Sequence, residues 1–148
     1  MTAAATPAIH IRIVDWDSAA AELMAVRVAV FVVEQGVPPE LEQDEHDATA
    51  LHLQATTTDG RTIGTARLLE DGHIGRVAVM PDWRGLGLGT RLLARLIDVA
   101  QERGLDGVFL HAQCSAESFY ERLGFVAEGE VFDDAGIDHR CMRRPVSL

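Results

Sequence analysis

The chain has 148 residues, 47% of them hydrophobic, a formal net charge of −10, and 13 basic residues that are all Arg. That size and composition fit one compact domain over residues 1–148, with 1–7 as a flexible tail. The acidic balance, with no segregated basic stripe, argues against nucleic acid or an anionic membrane surface as partner. No apolar stretch approaches the ~18 residues of a membrane span, and Met1 to Pro7 lacks a signal-peptide pattern, so a cytoplasmic protein is expected. Cys114 and Cys141 are too few for a disulfide framework and have no metal-type spacing, so reduced thiols and no metal site are expected.

In chain order, Ile9, Ile11 and Ile13 alternate with His10 and Arg12 over residues 8–16, which predicts a half-buried strand. Residues 18–33 follow as a helix with Ala21, Leu23, Met24, Val28 and Phe31 on its apolar face, broken by Gly36 and Pro38-Pro39. An acidic loop comes next. Residues 50–58 and 62–69 read as strands joined by the hairpin turn Asp59-Gly60, and Gly72 separates them from a fourth strand over residues 74–80. Leu88, Leu92, Leu93, Leu96, Ile97 and Ala100 recur at helical spacing and define a helix core face over residues 88–103, closed by Gly104.

Residues 107–111 form a fifth strand, and a short helix around Tyr120 follows. In that helix Ser115 is placed to cap, Glu117 lies in the first turn, and Gly124 suits the left-handed position that ends it. Ala116, Phe119 and Leu123 share the core face, and Tyr120 lies about 100 degrees away from Phe119, free to face elsewhere. Two strands, 125–132 and 137–144, surround a turn at 133–136 and complete the order βααβββαβαββ.

Between the fourth strand and its helix stands Arg84-Gly85-Leu86-Gly87-Leu88-Gly89. Glycines let a backbone approach an anion, and a helix start offers unpaired N–H groups and the positive end of its dipole. A P-loop is excluded because the chain has no lysine; a dinucleotide fingerprint fits poorly, since Gly85, Gly87 and Gly89 alternate and half of the chain precedes them. The segment Val77 to Thr90 resembles the acyl-CoA loop of the GCN5-related N-acetyltransferase (GNAT) family, whose pattern Arg/Gln-x-x-Gly-x-Gly/Ala is met by Arg84, Gly87 and Gly89. Ala116 to Phe125 is similar to the family's second signature at its usual separation. Val26 to Glu40, with Asp44 to Asp47 and Gly136 to His139, resembles the bacterial ElaA/YjcF-like branch.

The resemblance implies a mixed α/β (α+β) fold: a twisted, mostly antiparallel sheet of six to seven strands, its fourth and fifth strands splayed, with helices on both faces. It further implies acetyl-CoA as acyl donor and no metal. The backbone of Val77, Ala78 and Val79 would hold the pantetheine and thioester oxygen. The amides from Arg84 through Gly85, Leu86, Gly87, Leu88 and Gly89 to Thr90 would hold the pyrophosphate, helped by the Arg84 charge and by Arg91. Gln113 would bond the pantetheine where many family members carry Asn. Tyr120, the only tyrosine, falls on the family's general acid, and a phenol with pKa about 10 is protonated at neutral pH.

Glu34, His46, His73, His111 and His139 are the candidate bases, with Glu34, His46, His111 and His139 also candidates for contacting the acceptor. His111 shares strand parity with Gln113. Glu34 and the acidic loop of Glu40, Glu42, Asp44 and Glu45 are read as an amine-binding mouth, against the plainer reading of a solvated acidic loop. The expected function is N-acetyl transfer from acetyl-CoA to a small-molecule or peptide primary amine, by direct attack in a ternary complex. The alternative is a non-catalytic acyl-CoA sensor or interaction module. The family often dimerises, so a homodimer is in view.

Overall fold

In a computed structural model the structure describes residues 8–146; the expected tail, residues 1–7, lies outside the described residues. Seven strands form one sheet in the order β1-β2-β3-β4-β5-β7-β6. They are β1 (Ile9–Val14), β2 (Leu51–Thr57), β3 (Thr62–Leu68), β4 (His73–Val79), β5 (Gly107–Gln113), β6 (Val126–Asp134) and β7 (Ile137–Pro145). Every neighbouring pair is antiparallel except β4 and β5. Those two parallel strands pair only at His73↔Phe109 and Ile74↔Leu110, so from Gly75 onward they part, and the expected splay is present.

Below the splay the strands are pinched together at Gly72, whose carbonyl accepts the Phe109 N–H at 3.0 Å. Gly72 has φ +92°, and a Cβ there would lie 2.7 Å from the Gly107 carbonyl oxygen, so only glycine fits this junction. Every residue of β2 is buried, as is nearly all of β3, which requires cover on both faces of the sheet.

That cover comes from two helices. In α3 (Leu88–Glu102), Leu88, Leu92, Leu93, Leu96, Val99 and Ala100 are buried against the sheet, matching the periodicity except that Val99 supplies a contact that Ile97 only partly makes. Gly104, at φ +77°, ends the helix as expected. On α1 (Trp16–Arg27) the buried set is Ala19, Leu23, Val26 and Arg27, while Ala21 is exposed. This corrects the predicted face: α1 is apolar around much of its circumference, so the sequence carries little phase information.

A second correction concerns the same segment. Instead of one α-helix to Val33, residues Val28–Glu34 form a π-helix, in which the Gln35 N–H bonds the Val30 carbonyl five residues back. Branched valines at 28, 30, 32 and 33 lose side-chain freedom in a tight α-turn, and the wider turn brings both Phe31 and Gln35 to the cavity described below. The acidic loop contains α2 (Pro39–Glu42) and a 3-10 turn, Glu45–Ala48. The Tyr120 helix, α4 (Glu117–Arg122), is entered directly from the 3-10 turn Cys114–Ala116. Its N-cap position is Ala116 and no side chain caps it, so Ser115 does not cap: the preceding turn already occupies the entry. Phe119, Tyr120 and Leu123 pack partly buried against the main core. Cys114 and Cys141 are free thiols.

Candidate active site

Where β4 and β5 separate, a cavity of about 590 Å³ opens. Its walls bring together Val77 of β4, His111 and Gln113 of β5, Tyr120 of α4, His139 of β7 and His46 of the acidic loop, along with His73. Seven sequence-derived candidates from distant parts of the chain thus line one space. A larger groove, about 970 Å³, follows β1 and Arg91, but it contains neither Tyr120 nor the glycine loop.

The glycine loop continues from the C-terminal end of β4. Gly85 and Gly87 both have φ near +80°, and a Cβ at either would meet nothing within 4 Å. Gly87 is the left-handed N-cap of α3 and offers no side-chain cap, so the first-turn N–H groups have no acceptor within the helix. Gly89 is ordinary helix; a Cβ there would touch Phe119 at 3.6 Å, normal contact, so the chain's own packing does not require glycine. The space over residues 85–89 is open toward an outside group, and an anion such as the CoA pyrophosphate fits this cradle.

Both arginines assigned to that anion are already engaged. Arg84 donates from Nε to the Val79 carbonyl at 2.9 Å and from both Nη atoms to Glu34 at 2.6 Å. Arg91 Nη2 donates to the Ile9 carbonyl at 3.0 Å. Glu34 is therefore held by Arg84 rather than facing the cavity, and the Arg84 hydrogen bond holds its carboxyl below the usual range, which weakens it as a base.

Gln113 Nε2 donates to Gln35 Oε1 at 2.9 Å, joining β5 to the end of the π-helix across the cavity. Tyr120 meets Phe119 and Phe125 edge-on, with centroids 5.1 and 5.9 Å away, and burial pushes its phenol above the ordinary tyrosine value. His73 stacks on Phe109 at 4.7 Å and lies 4.7 Å from His111; burial, then the His111 neighbour, lowers its pKa to about 4. The His139 Nδ1–H donates to the Ile137 carbonyl at 2.7 Å. A carbonyl can only accept, so in the neutral ring it is Nε2 that carries the lone pair.

Beside these residues lies an ion cluster that sequence reasoning did not predict. Arg27, 1% exposed, donates from both Nη atoms to Asp47, at 2.8 and 3.1 Å. Arg67 Nη1 donates to Asp47 and Asp44, and its Nη2 to Asp44, all within 2.8 Å. Arg76 Nη2 reaches Asp44 at 3.2 Å. Asp44 and Asp47 also take the backbone N–H groups of His46 and Asp44 in a capping box. The Arg67 hydrogen bonds keep the Asp44 carboxyl far below its usual range; for Asp47, burial opposes ionisation but the Arg27 and Arg67 bonds outweigh it. An arginine inside the otherwise uncharged strand Thr62–Leu68 was the available signal. The side chains of Leu41 and Glu42 lie outside the described part. Among the described residues no group of three or more His, Cys, Asp or Glu could hold a metal ion. None of the described helices is long and apolar enough to cross a membrane.

A family model described as an acetyltransferase (GNAT) domain matches residues 19–145. The chain belongs to the GNAT family. Among solved GNAT-related structures, Escherichia coli ElaA superposes with a TM-score of 0.82 at 30% identity, covering 91% of this chain and 99% of ElaA. An acyl-CoA N-acyltransferase from Pseudomonas aeruginosa gives 0.80 at 35%, covering 94% and 99%. The protein Rv2851c of Mycobacterium tuberculosis is 38% identical over 134 residues, 85% of this chain and 84% of that one. The GNAT fold, with its seven-stranded, mostly antiparallel sheet, is thus the architecture of this chain, and an acyltransferase activity with a CoA derivative and an amine acceptor is its general class.

Proposed function

We propose that the protein is an N-acetyltransferase that passes an acetyl group from acetyl-CoA to a primary amine by direct attack in a ternary complex, with Tyr120 as the general acid. The observation that carries this reading is the position of Tyr120 in the wall of the cavity that opens between β4 and β5, one strand away from the glycine loop. Acetyl-CoA supplies an acyl group as a thioester with a thiolate leaving group.

The chain's own contributions follow from the geometry. First-turn amides of α3, between Leu88 and Thr90, stand ready for the pyrophosphate. Backbone groups of Val77 to Val79 on the side that β5 has left, apart from the Val79 carbonyl that already accepts from Arg84, are available to the pantetheine and to the oxygen of the thioester, where charge develops. Burial keeps the Tyr120 proton in place well into the basic range, so the neutral phenol is ready to donate to the departing thiolate. His139, with its Nε2 lone pair fixed by the Ile137 carbonyl, is the histidine best prepared to take the amine proton.

The deciding experiment follows free thiol release from acetyl-CoA against a panel of amines, with Tyr120→Phe in parallel. Turnover that falls at least tenfold in Tyr120→Phe supports the assignment. CoA binding by calorimetry with no turnover on any amine replaces it with the sensor reading.

A further inference from the structure

Two neighbouring residues at the end of the π-helix hold opposite lips of the opening between β4 and β5. Val30 of that helix packs with Ala78 of β4, with Phe31 and Met80 against them, so the helix rests on the β4 side. Its last residue, Glu34, accepts from both Nη atoms of Arg84, and Arg84 Nε donates to the carbonyl of Val79, the last residue of β4. The next residue, Gln35, reaches the other lip: its Oε1 accepts at 2.9 Å from Nε2 of Gln113, the last residue of β5. Successive helical residues point roughly 100 degrees apart, or less in a wider turn, so positions 34 and 35 can grip different walls. Together they form a strap across the open end of the splay, away from the pairs at His73 and Ile74.

The Gln35–Gln113 bond belongs to the cavity, because both residues line its wall together with Val77 and Tyr120. A glutamine amide carries two N–H donors and one acceptor oxygen. The bond uses one N–H of Gln113, which turns Nε2 toward the π-helix and leaves Oε1 to a ligand. Without it, the amide is free to turn over, exchanging acceptor for donor at almost the same shape, and it loses the ordering that a ligand would otherwise have to impose.

We infer that Gln35 is a positioning residue for the acyl donor: by holding Nε2 of Gln113, it keeps Gln113 Oε1 turned to accept an amide N–H of the pantetheine arm. This rests on the N-acetyltransferase reading and on its pantetheine contact at Gln113. Gln35 acts through Gln113, so its effect appears in donor affinity and disappears once Gln113 has lost its amide.

The test measures the calorimetric Kd of CoA, the KM of acetyl-CoA and the melting temperature for Gln35→Leu, Gln35→Glu, Gln113→Leu and the double variant Gln35→Leu/Gln113→Leu. Gln35→Leu keeps the bulk and loses the acceptor oxygen; it should weaken CoA binding about threefold to tenfold, the range of one lost hydrogen bond, and raise the acetyl-CoA KM with it. Gln35→Glu keeps an acceptor and has no donor, so it holds Gln113 in the same sense, and its Kd should stay within about twofold of the wild type. The double variant should bind CoA no more weakly than Gln113→Leu alone. A bond that merely ties the π-helix to β5 would lower the melting temperature of Gln35→Leu with CoA affinity unchanged, or would make Glu34→Gln weaken CoA equally by loosening the same helix end. Either result overturns the inference, as do additive losses in the double variant or a Gln35→Glu protein as weak as Gln35→Leu. Coupled losses of CoA affinity with no turnover on any amine overturn the reaction and leave Gln35 in its role. A wild-type protein that binds no CoA overturns both.

Discussion

Replacing Asp47 by Asn is the sharpest probe of the ion cluster, because it keeps the size of the side chain and removes its charge. Asp47 and Arg27 are each 1% exposed, and Arg67 is 4% exposed. The change takes from Arg27 and Arg67, both buried, the carboxylate that they share, and it turns an amide N–H₂ toward donors. Breaking a buried pair from one side costs about 3–5 kcal/mol, against a total stability of roughly 5–15 kcal/mol for a domain. At about 2–4 °C per kcal/mol for this size class, melting should fall by roughly 6–20 °C. Urea unfolding at pH 7, followed by far-UV circular dichroism, measures the loss directly, with an unchanged m-value expected. A loss under about 1 kcal/mol would refute the idea that this cluster anchors the acidic loop. The pH dependence supplies a second check. Asp44 and Asp47 have folded pKa values below their unfolded ones, so their contribution is present above about pH 4 and disappears as pH falls further. Asp47→Asn should flatten the wild-type loss of stability in that acid window.

Tyr120→Phe should lower kcat tenfold or more, about 1.4 kcal/mol or greater, with a smaller change in acetyl-CoA KM; unchanged kcat in steady-state assays removes the phenol from the chemistry. Because burial raises the Tyr120 pKa above its ordinary value of about 10, the basic limb of the kcat profile attributable to it should lie above that pH. Gly87→Val forces a branched residue to φ +81° at the N-cap of α3 and should raise acetyl-CoA KM well before it affects kcat. Glu34→Gln breaks a pair whose partners are each about 40% exposed, so stability should change by less than about 1 kcal/mol. The freed Arg84 should lower acetyl-CoA KM several-fold; a raised KM in the same assay would show that Glu34 positions the loop instead of competing for it.

What the sequence made legible were features carried by strict local periodicity or by glycine. Five of the six apolar positions predicted for α3 are fully buried, and the loop from Arg84 to Gly89 sits at its start. Tyr120, His111, Gln113 and His139 converge because two signatures preserved the family's spacing. Long-range electrostatics left no such trace: Arg27, Asp44, Asp47, Arg67 and Arg76 meet only after a helix, a loop and two strands have been arranged, and no local rule pairs them. The same limit explains Glu34 and Arg84, 50 residues apart in sequence and joined in space. In α1 the apolar residues surround the axis, so the choice of buried face belongs to the sheet.

The short contact between β4 and β5 makes the sheet mechanically bipartite. Strands β1 to β4 form one plate and β5, β7 and β6 another, joined through two residue pairs and the Gly72 pinch. Beneath the seam runs α3, which packs on β3, β4 and β5 and so rests on both plates. Whatever grips the first turn of that helix therefore also stiffens the joint between the plates. In hydrogen exchange, the β5-facing amides from Gly75 to Val79 should be the fast spots of an otherwise protected sheet, slowing when the joint is braced. The width of the seam thus becomes a variable that binding energy can set.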